Sequence, residues 1–291
     1  MATAWRALPR PQRLSVKRWA AWTALMTVAF AQPLVRLVHL ANDDTLHSHI
    51  PLIPFVSLYL LATNRTVRPA TRSSPGGAIA MGIVCAAAIA AALTFGARLT
   101  GNVDLSLMIL AYVSAIAAGG FLFMGARWMA AAAFPMAFLL FMVPLPDGIV
   151  VWLEDALVAA SADVSALMIR ASGTPMLREG TVFTLPTIVL QVARECSGIR
   201  STWVLFIVGL LASHTLLSSP WRRFVLVAFV IPLGIVRNGF RILTIALLCV
   251  HVGPEMINSF IHHRGGPIFF ALSLAPLFWL LVWLQRHDRT S

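Results

Sequence analysis

Long apolar runs separated by short polar segments dominate the chain. A run of roughly 18 or more apolar residues forms a helix that is long enough to cross a ~30 Å hydrocarbon core. The pattern predicts an all-α polytopic membrane protein, in which residues 1–291 form one integral membrane domain with a first part, 1–145, and a second part, 146–291. Eight transmembrane helices are predicted, five in the first part and three in the second: 19–40, 50–63, 76–97, 105–125, 128–145, 197–217, 224–250 and 267–285.

A long segment of mixed character, 146–195, separates the fifth and sixth predicted spans. Its first half has apolar residues at helical spacing, which predicts a short amphipathic helix over 149–170 that lies in the outer interface. Three carboxylates lie elsewhere on the helical wheel: Glu154, Asp155 and Asp163. A full span is the competing interpretation, and three uncompensated carboxylates argue against it.

The second half of this segment, 176–193, has the character of strands. Thr187–Val192 is rich in β-branched residues and partly alternates, and Pro186 separates it from an extended piece around Thr181–Leu185. β-branched residues favour strands, and proline interrupts them. We therefore predict a small β element of two strands, with a turn near Gly180, immediately before the sixth span.

Composition and charge restrict the function classes. Apolar residues make up 59% of the chain, which excludes a water-soluble domain, and the net charge is +11. The cationic residues lie between spans, where they set the topology, so we expect no nucleic-acid partner. The outer loop 41–50 carries Asp43 and Asp44 but no Arg or Lys. The positive-inside rule then predicts that both termini lie on the inside.

One short stretch resembles a signal-peptidase site. Ala29-Phe30-Ala31 follows a basic region and an apolar stretch. Apolar residues continue to Leu40, so an uncleaved first span is the favoured interpretation. Cleavage would leave the orientation of the later spans unchanged.

The three cysteines differ in their surroundings. Cys85 and Cys249 lie in apolar runs, as small buried residues do. Three widely spaced cysteines predict neither a disulfide framework nor a zinc cluster. Polar neighbours surround only Cys196, so it is the candidate for chemistry.

Cys196 lies just before a long predicted helix. The N-terminus of a helix favours an anion, and Arg200 would share a face with Cys196 if the helix had already begun. Both effects lower the pKa of a thiol and favour a thiolate nucleophile. Ser197 and Gly198 are small and leave the approach open. An incidental cysteine at an ordinary helix start fits this stretch equally well.

A second polar patch lies within the seventh predicted span. It contains Arg237, Asn238 and Arg241, and charges inside a membrane usually face the bundle interior and often mark function. Asn238 and Arg241 are three residues apart, share a helix face and fall near the outer interface, which favours a functional role. Snorkelling to the lipid headgroups accounts well for Arg237.

A third patch, with His262, His263 and Arg264, precedes the last span on the predicted outer side. An ordinary polar loop is the alternative interpretation. All three patches are predicted at one membrane depth on one side, so a thiol, an imidazole and a guanidinium would meet there. These groups suit a thiolate–imidazole site with a cationic stabiliser, which needs no metal. Outer acidic residues, Glu195 especially, would orient the histidine or the arginine, and a solvated neighbour of Arg194 is the alternative interpretation of Glu195.

The three patches resemble the motifs of the exosortase/archaeosortase family. The matching stretches are Cys-Ser-Gly-Ile-Arg-Ser at Cys196–Ser201, Asn-x-x-Arg-Ile at Asn238–Ile242, and His-x-x-x-Gly-x-x-x-Phe at His262–Phe270. A looser match is Ser48–Leu61, which is similar to an early Ser-His-Gly block of the family. Ile50 stands where that block has glycine, which leaves His49 without an assigned role.

The resemblance implies a membrane cysteine transpeptidase of the bacterial branch, without a cofactor. Such enzymes cut a C-terminal sorting signal from exported proteins, which consists of a short motif such as Pro-Glu-Pro, a transmembrane helix and a basic tail. By motif position, Cys196 is implied as the nucleophile, Arg241 as the stabilising arginine and His262 as the general acid and base, with His263 as the alternative register. Supporting roles fall to Glu195, Ser197, Gly198, Arg200 and Asn238. The implied location is the bacterial inner membrane, in contact with lipid, with the site on the outer side.

Two other functions use the same residues. A cysteine hydrolase would release the cut protein to water instead of to an acceptor nucleophile. A non-enzymatic transporter or assembly factor for surface polysaccharide would bind an anionic lipid-linked substrate through Arg237 and Arg241, and Cys196 would be incidental.

The predicted topology has a direct test. Positions within 43–50 and within 150–190 should react from outside the cell with a membrane-impermeant label, because the arginine distribution places both segments on the outer side. Labelling of either segment only from the inside would contradict this topology and would separate the three patches from any exported substrate.

Overall fold

The structure, a computed structural model, describes residues 10–44, 46–63, 71–95, 101–258 and 265–288. Within these residues the chain forms eleven α-helices, four short 3₁₀ segments and three short strands. The chain divides into two compact units, Met1–Ile149 and Val150–Ser291. The helical architecture confirms the prediction of an all-α protein with a small β element.

The described helices also confirm a polytopic membrane protein. Five helices are long and apolar enough to cross a membrane, and up to seven spans result if two bent helix pairs each count as one. The predicted number of eight is not confirmed. Hydropathy locates apolar runs but does not show where a run is broken, and two predicted spans, 19–40 and 128–145, are broken in the structure.

The first unit contains seven helices before its boundary: α1 Arg10–Ala29, α2 Ala31–Asp43, α3 Ile53–Thr63, α4 Pro75–Phe95, α5 Val103–Phe123, α6 Ala126–Ala131 and α7 Ala133–Phe138. The helices α1 and α2 replace the predicted first span and are bent by 73° at Phe30. Pro33 lies in the first turn of α2, where a residue without an N–H group is tolerated. The predicted fifth span is divided among α6, α7 and a 3₁₀ segment, Leu139–Met142.

Helix α5 forms the core of the first unit. Two indole N–H groups of α1 donate to its backbone, from Trp19 to the Ile116 carbonyl at 3.1 Å and from Trp22 to the Ala115 carbonyl at 2.8 Å. Gly119 leaves the space that Trp22 occupies, since a Cβ atom there would collide with the indole ring. The polar ends of both tryptophans are therefore satisfied inside an apolar bundle.

The second unit contains α8 Asp147–Ala171 from Val150 onward, then strands β1 Leu177–Glu179, β2 Val182–Thr184 and β3 Val189–Gln191, and then helices α9 Ile199–Leu216, α10 Pro220–His251 and α11 Gly266–Asp288. The sheet is antiparallel with the order β1-β2-β3. The prediction of two strands was therefore wrong, because the sheet has three. The missed strand, β1, has only three residues and carries Arg178 and Glu179, so it lacks an apolar alternation.

Helix α8 confirms the predicted helix over 149–170. Its buried residues, from Val158 to Ile169, recur at helical spacing and form one face. The premise that its carboxylates are uncompensated was wrong. Asp155 accepts from Arg194 at 2.7 Å, and Asp163 accepts from Arg178 at 2.7 Å. These partners belong to the β element and the turn after it, so the ion pairs attach both to the exposed side of α8.

Helix α10 connects two apolar clusters of the second unit. At 1.5 Å per residue, its 32 residues extend for about 48 Å. Its first half packs with α9 and α11, and its second half packs with α8 and the sheet. Two glycines permit close approach, because a Cβ atom on Gly234 would come within 2.6 Å of Thr202 Oγ1 and one on Gly239 within 2.9 Å of Val164. The polar patch Arg237–Arg241 lies between the two clusters.

Candidate active site

Cys196 ends a 3₁₀ turn that precedes α9. Its backbone N–H donates to the Ala193 carbonyl at 2.9 Å, and the Ser197 N–H donates to the Arg194 carbonyl at 2.9 Å. Helix α9 begins only at Ile199, with Gly198 as its N-cap. Arg200 would share a helical face with Cys196 only if the helix had already begun at Cys196, and it begins three residues later. The Arg200 side chain is exposed.

Gly198 occupies a position that disfavours any other residue. Its φ is +72°, in the left-handed region, where residues with a Cβ atom are strained. A Cβ atom would also lie 3.2 Å from both Arg237 Nη2 and Asn238 Cγ. The sequence predicted a small residue for open approach to the thiol. The structure adds that glycine lets the turn come close to α10.

Asn238 holds the turn from α10. Its side chain is buried, and Nδ2 donates to the Cys196 carbonyl at 2.7 Å. A buried amide needs such a partner, and a buried carbonyl does too. The structure thus brings together two predicted site residues that are 42 positions apart in the chain.

Arg237 holds the same turn, which sequence reasoning missed. Its Nη2 donates to the Gly198 carbonyl at 3.2 Å and to Thr202 Oγ1 at 3.1 Å. Arg237 is only 7% exposed, so the prediction that its side chain snorkels to the lipid headgroups was wrong. One signal could have found it: Arg237 lies roughly 20 Å or more from either end of α10, which is too far to reach an interface easily.

The remaining contacts place the thiol-bearing turn between helices. Arg194 forms a two-point ion pair with Asp155, at 2.7 and 3.0 Å, and so ties the turn to α8. The partly buried Cys196 side chain packs against the cluster that includes Ile242 and Cys249 of α10. Buried Ser197 accepts a long hydrogen bond, 3.4 Å, from the Ile199 N–H.

Arg241 lies on α10 one turn beyond Arg237 and three residues beyond Asn238, and it is partly buried. Residues at these spacings share a helix face. Two guanidinium groups therefore lie on the part of α10 that contacts the Cys196 turn. This arrangement concentrates positive charge beside the Cys196 turn, where it would stabilise a negative charge.

Part of the predicted site cannot be placed. His262, His263 and Arg264 lie outside the described residues. Glu195 belongs to the 3₁₀ turn, but its side chain is not described. Within the described ranges, no three His, Cys, Asp or Glu residues cluster in a way that would hold a metal ion.

The early Ser-His block lies in the first unit. His49 precedes a 3₁₀ segment, Ile50–Leu52, and its Nδ1 is 3.0 Å from the Leu46 carbonyl. Burial lowers the pKa of the His49 imidazole, which favours the neutral form. His47 is buried and bonds through Nδ1 to Asp44 at 2.7 Å.

The first turn of α9 gives the candidate site its capacity to bind an anion. The initial N–H groups of a helix have no acceptor within the helix. In α9 the Ile199 N–H has a long hydrogen bond, 3.4 Å, to Ser197 Oγ, and Gly198 supplies no side chain to cap the N–H groups that follow. The helix dipole favours negative charge at the same place. A thiolate or a tetrahedral oxyanion near Cys196 would meet these donors together with the α10 guanidinium groups.

Comparison with known proteins supplies one match. The model of a family described as transmembrane exosortase matches residues 40–279, which is most of the chain. No curated protein and no solved structure matches. The matched range includes the early Ser-His block and all three polar patches.

Replacement of Gly198 by alanine should destabilise the protein. The left-handed backbone alone costs an alanine about 1–2 kcal/mol, and the contacts with Arg237 and Asn238 add to that cost. Thermal unfolding in detergent should show a larger loss for Gly198→Ala than for Gly180→Ala. Gly180 also has a positive φ, +61°, but it has open space around it. Equal losses in the two variants would contradict the close approach of the turn to α10.

Proposed function

The chain belongs to the transmembrane exosortase family, and from this membership we propose that it cuts C-terminal sorting signals from exported proteins through a thioester on Cys196. The family consists of membrane cysteine peptidases and transpeptidases that act on exported substrates. A membrane sorting role therefore follows from membership. The Pro-Glu-Pro type of signal, the thioester and the residue roles are our proposal.

The observation that carries the proposal is the turn Cys196–Gly198 at the start of α9. It presents a cysteine at a helix N-terminus, and hydrogen bonds from two adjacent residues of α10 hold its backbone. A reactive cysteine needs electropositive surroundings and partial access. Cys196 and Cys85 are both partly buried, and Cys249 is fully buried. Cys85 lies within the apolar helix α4, so of the three cysteines Cys196 is the one that combines partial access with a helix N-terminus.

In the proposed first step, the Cys196 thiolate attacks the carbonyl carbon of the scissile peptide bond. The carbonyl π electrons move to oxygen, and Arg241 and the N–H groups near Gly198 stabilise the resulting oxyanion. The oxyanion then collapses and the C–N bond breaks. His262 donates a proton to the leaving amine, which departs with the transmembrane helix and basic tail.

In the second step, the acyl group leaves the enzyme. Neutral His262 accepts a proton from an acceptor nucleophile or from water, and that nucleophile attacks the thioester carbon. Collapse of the second tetrahedral intermediate breaks the C–S bond and restores the thiolate. Supporting roles for Glu195, Ser197, Arg200 and Asn238 belong to the same proposal.

We place this chemistry at the outer side of the bacterial inner membrane, with both termini inside. The arginine distribution supports this orientation, since the basic loops alternate with acidic ones. An exported protein that is held by its C-terminal helix would then present its cut site at the level of Cys196.

The Cys196→Ser variant tests the nucleophile. With a tagged exported protein that carries a Pro-Glu-Pro signal, we expect processing to fall by at least about 10³-fold, because a serine hydroxyl is not ionised at neutral pH. Mass spectrometry of the wild type should detect a thioester adduct on Cys196. Cys85→Ser is the matched control and should process normally. Unchanged processing in Cys196→Ser would contradict the proposal.

The same substrate determines the register of the histidine. His262→Ala should abolish most processing, while His263→Ala should retain it. The reverse result would assign the acid–base role to His263.

Addition of candidate amines should shift the product from the free acid to an amide if the enzyme is a transpeptidase.

Arg241→Lys tests the stabilising cation. Lysine keeps the charge but loses the planar, forked donor group, so we expect a loss of roughly 10²-fold in kcat with little change in KM. Single-turnover processing in detergent would measure it. A turnover close to that of the wild type would argue against contact between Arg241 and the oxyanion.

A further inference from the structure

Arg237 is a buried cation whose charge the described protein does not balance. Its two acceptors, the Gly198 carbonyl and Thr202 Oγ1, are neutral. In the described part of the chain it forms no ion pair, and its Nη1 is buried without a hydrogen-bond partner. A buried charge is stable only when it is paired, and charges at this depth in a membrane usually serve function.

A purely structural role does not account for this arrangement. The hydrogen bonds that hold the turn come from Nη2 alone. A neutral amide donor, such as the side chain of glutamine, could donate to the Gly198 carbonyl in its place. The position of Nη1 is what requires an explanation. Because both nitrogens are bonded to one carbon, Nη1 lies beside the Gly198 carbonyl, at the N-terminal turn of α9.

The surroundings of Nη1 favour an anion. The first N–H groups of α9 have no intrahelical acceptor, and the helix dipole adds positive potential. Arg241 contributes a second positive charge one turn along α10. Gly198 places no side chain between the guanidinium and the Cys196 turn, and a Cβ atom there would lie only 3.2 Å from Arg237 Nη2.

The burial of Arg237 indicates how such an anion arrives. On the exposed side of α10 lie Val236 and Phe240, which are 46% and 42% exposed, whereas Arg237 is 7% exposed. A lipid headgroup that approached α10 from its exposed side would meet these apolar side chains first. A group carried by a peptide bound at Cys196 would approach from the turn, which contacts the guanidinium directly.

We propose that Arg237 Nη1 and the first turn of α9 form a carboxylate-binding subsite beside Cys196. Its ligand is the side-chain carboxylate of an acidic residue close to the cut bond of the substrate. The identity of the ligand rests on the proposed function, but the existence of the subsite does not. A planar carboxylate matches the planar guanidinium, and charge-assisted hydrogen bonds of this kind are among the stronger ones.

Alkylation of Cys196 tests the subsite without any substrate. Iodoacetate and iodoacetamide react by the same step, in which the thiolate sulfur displaces iodide and forms a thioether, but only iodoacetate carries a carboxylate. The measured quantity is the ratio of the alkylation rate with iodoacetate to the rate with iodoacetamide. For Cys196 in the full-length protein this ratio should be about tenfold higher than for glutathione, because the subsite binds the carboxylate. Mass spectrometry of the Cys196 peptide gives both rates.

Variants separate the subsite from a general effect on the thiol. Arg237→Gln keeps one donor for the Gly198 carbonyl and should remove the preference for iodoacetate. Arg237→Lys keeps the charge and should retain part of the preference, which provides a second test if the glutamine variant does not fold. Arg170→Gln, which removes an exposed charge from α8, should behave like the wild type. Two results would overturn the subsite. One is a rate ratio for wild-type Cys196 that equals the ratio for glutathione. The other is an Arg237→Gln variant in which the rates with iodoacetate and with iodoacetamide fall equally.

A substrate pair tests the identity of the ligand. The wild type should process a Pro-Glu-Pro signal with a roughly tenfold lower KM than a Pro-Gln-Pro signal, and Arg237→Gln should abolish that difference. Equal KM values in the wild type would overturn the assignment to a substrate carboxylate. If neither signal is processed, the proposed function fails, while the iodoacetate preference still decides whether the subsite exists.

Discussion

Two hydrogen bonds from adjacent residues of one helix determine the geometry of the candidate site. Asn238 donates to the carbonyl of Cys196 and Arg237 donates to the carbonyl of Gly198. Consecutive helical residues point about 100° apart, so the turn must wrap around part of α10 to meet both donors. Gly198 has a φ of +72°, a left-handed conformation that glycine adopts without strain. The position of the thiol follows from this pair of contacts.

These contacts are strong because their surroundings are apolar. In a membrane protein an unsatisfied backbone carbonyl or guanidinium has no water to bind, so each polar group needs a partner from the protein or from a ligand. Close helix packing supplies the partners. Gly234 allows Thr202 to reach α10, and Thr202 in turn accepts from Arg237. The same packing leaves one nitrogen of Arg237 without a described partner, and that nitrogen is the basis of the proposed subsite.

Family membership and local geometry support the proposed function in different ways. The family match assigns a membrane enzyme that acts on exported proteins, and it covers residues 40–279. The geometry shows how three segments that are far apart in sequence meet at the Cys196 turn. Helix α10 carries Asn238 and Arg241, α9 begins just after Cys196, and α8 secures the turn through Asp155 and Arg194. The two-point ion pair acts on the first residue of the turn Arg194–Gly198, and the two α10 contacts act on its third and fifth residues.

The sequence by itself determined the membrane class, the order of the helices and the candidate thiol, because hydropathy, charge asymmetry and residue chemistry are local properties. It did not determine where apolar runs break, since a bend such as the one at Phe30 depends on packing. It also missed strand β1, which exists only by pairing with β2. The tertiary structure alone decided the role of Arg237. Whether an arginine snorkels or is buried depends on which side of its helix another segment covers, and no local pattern carries that information.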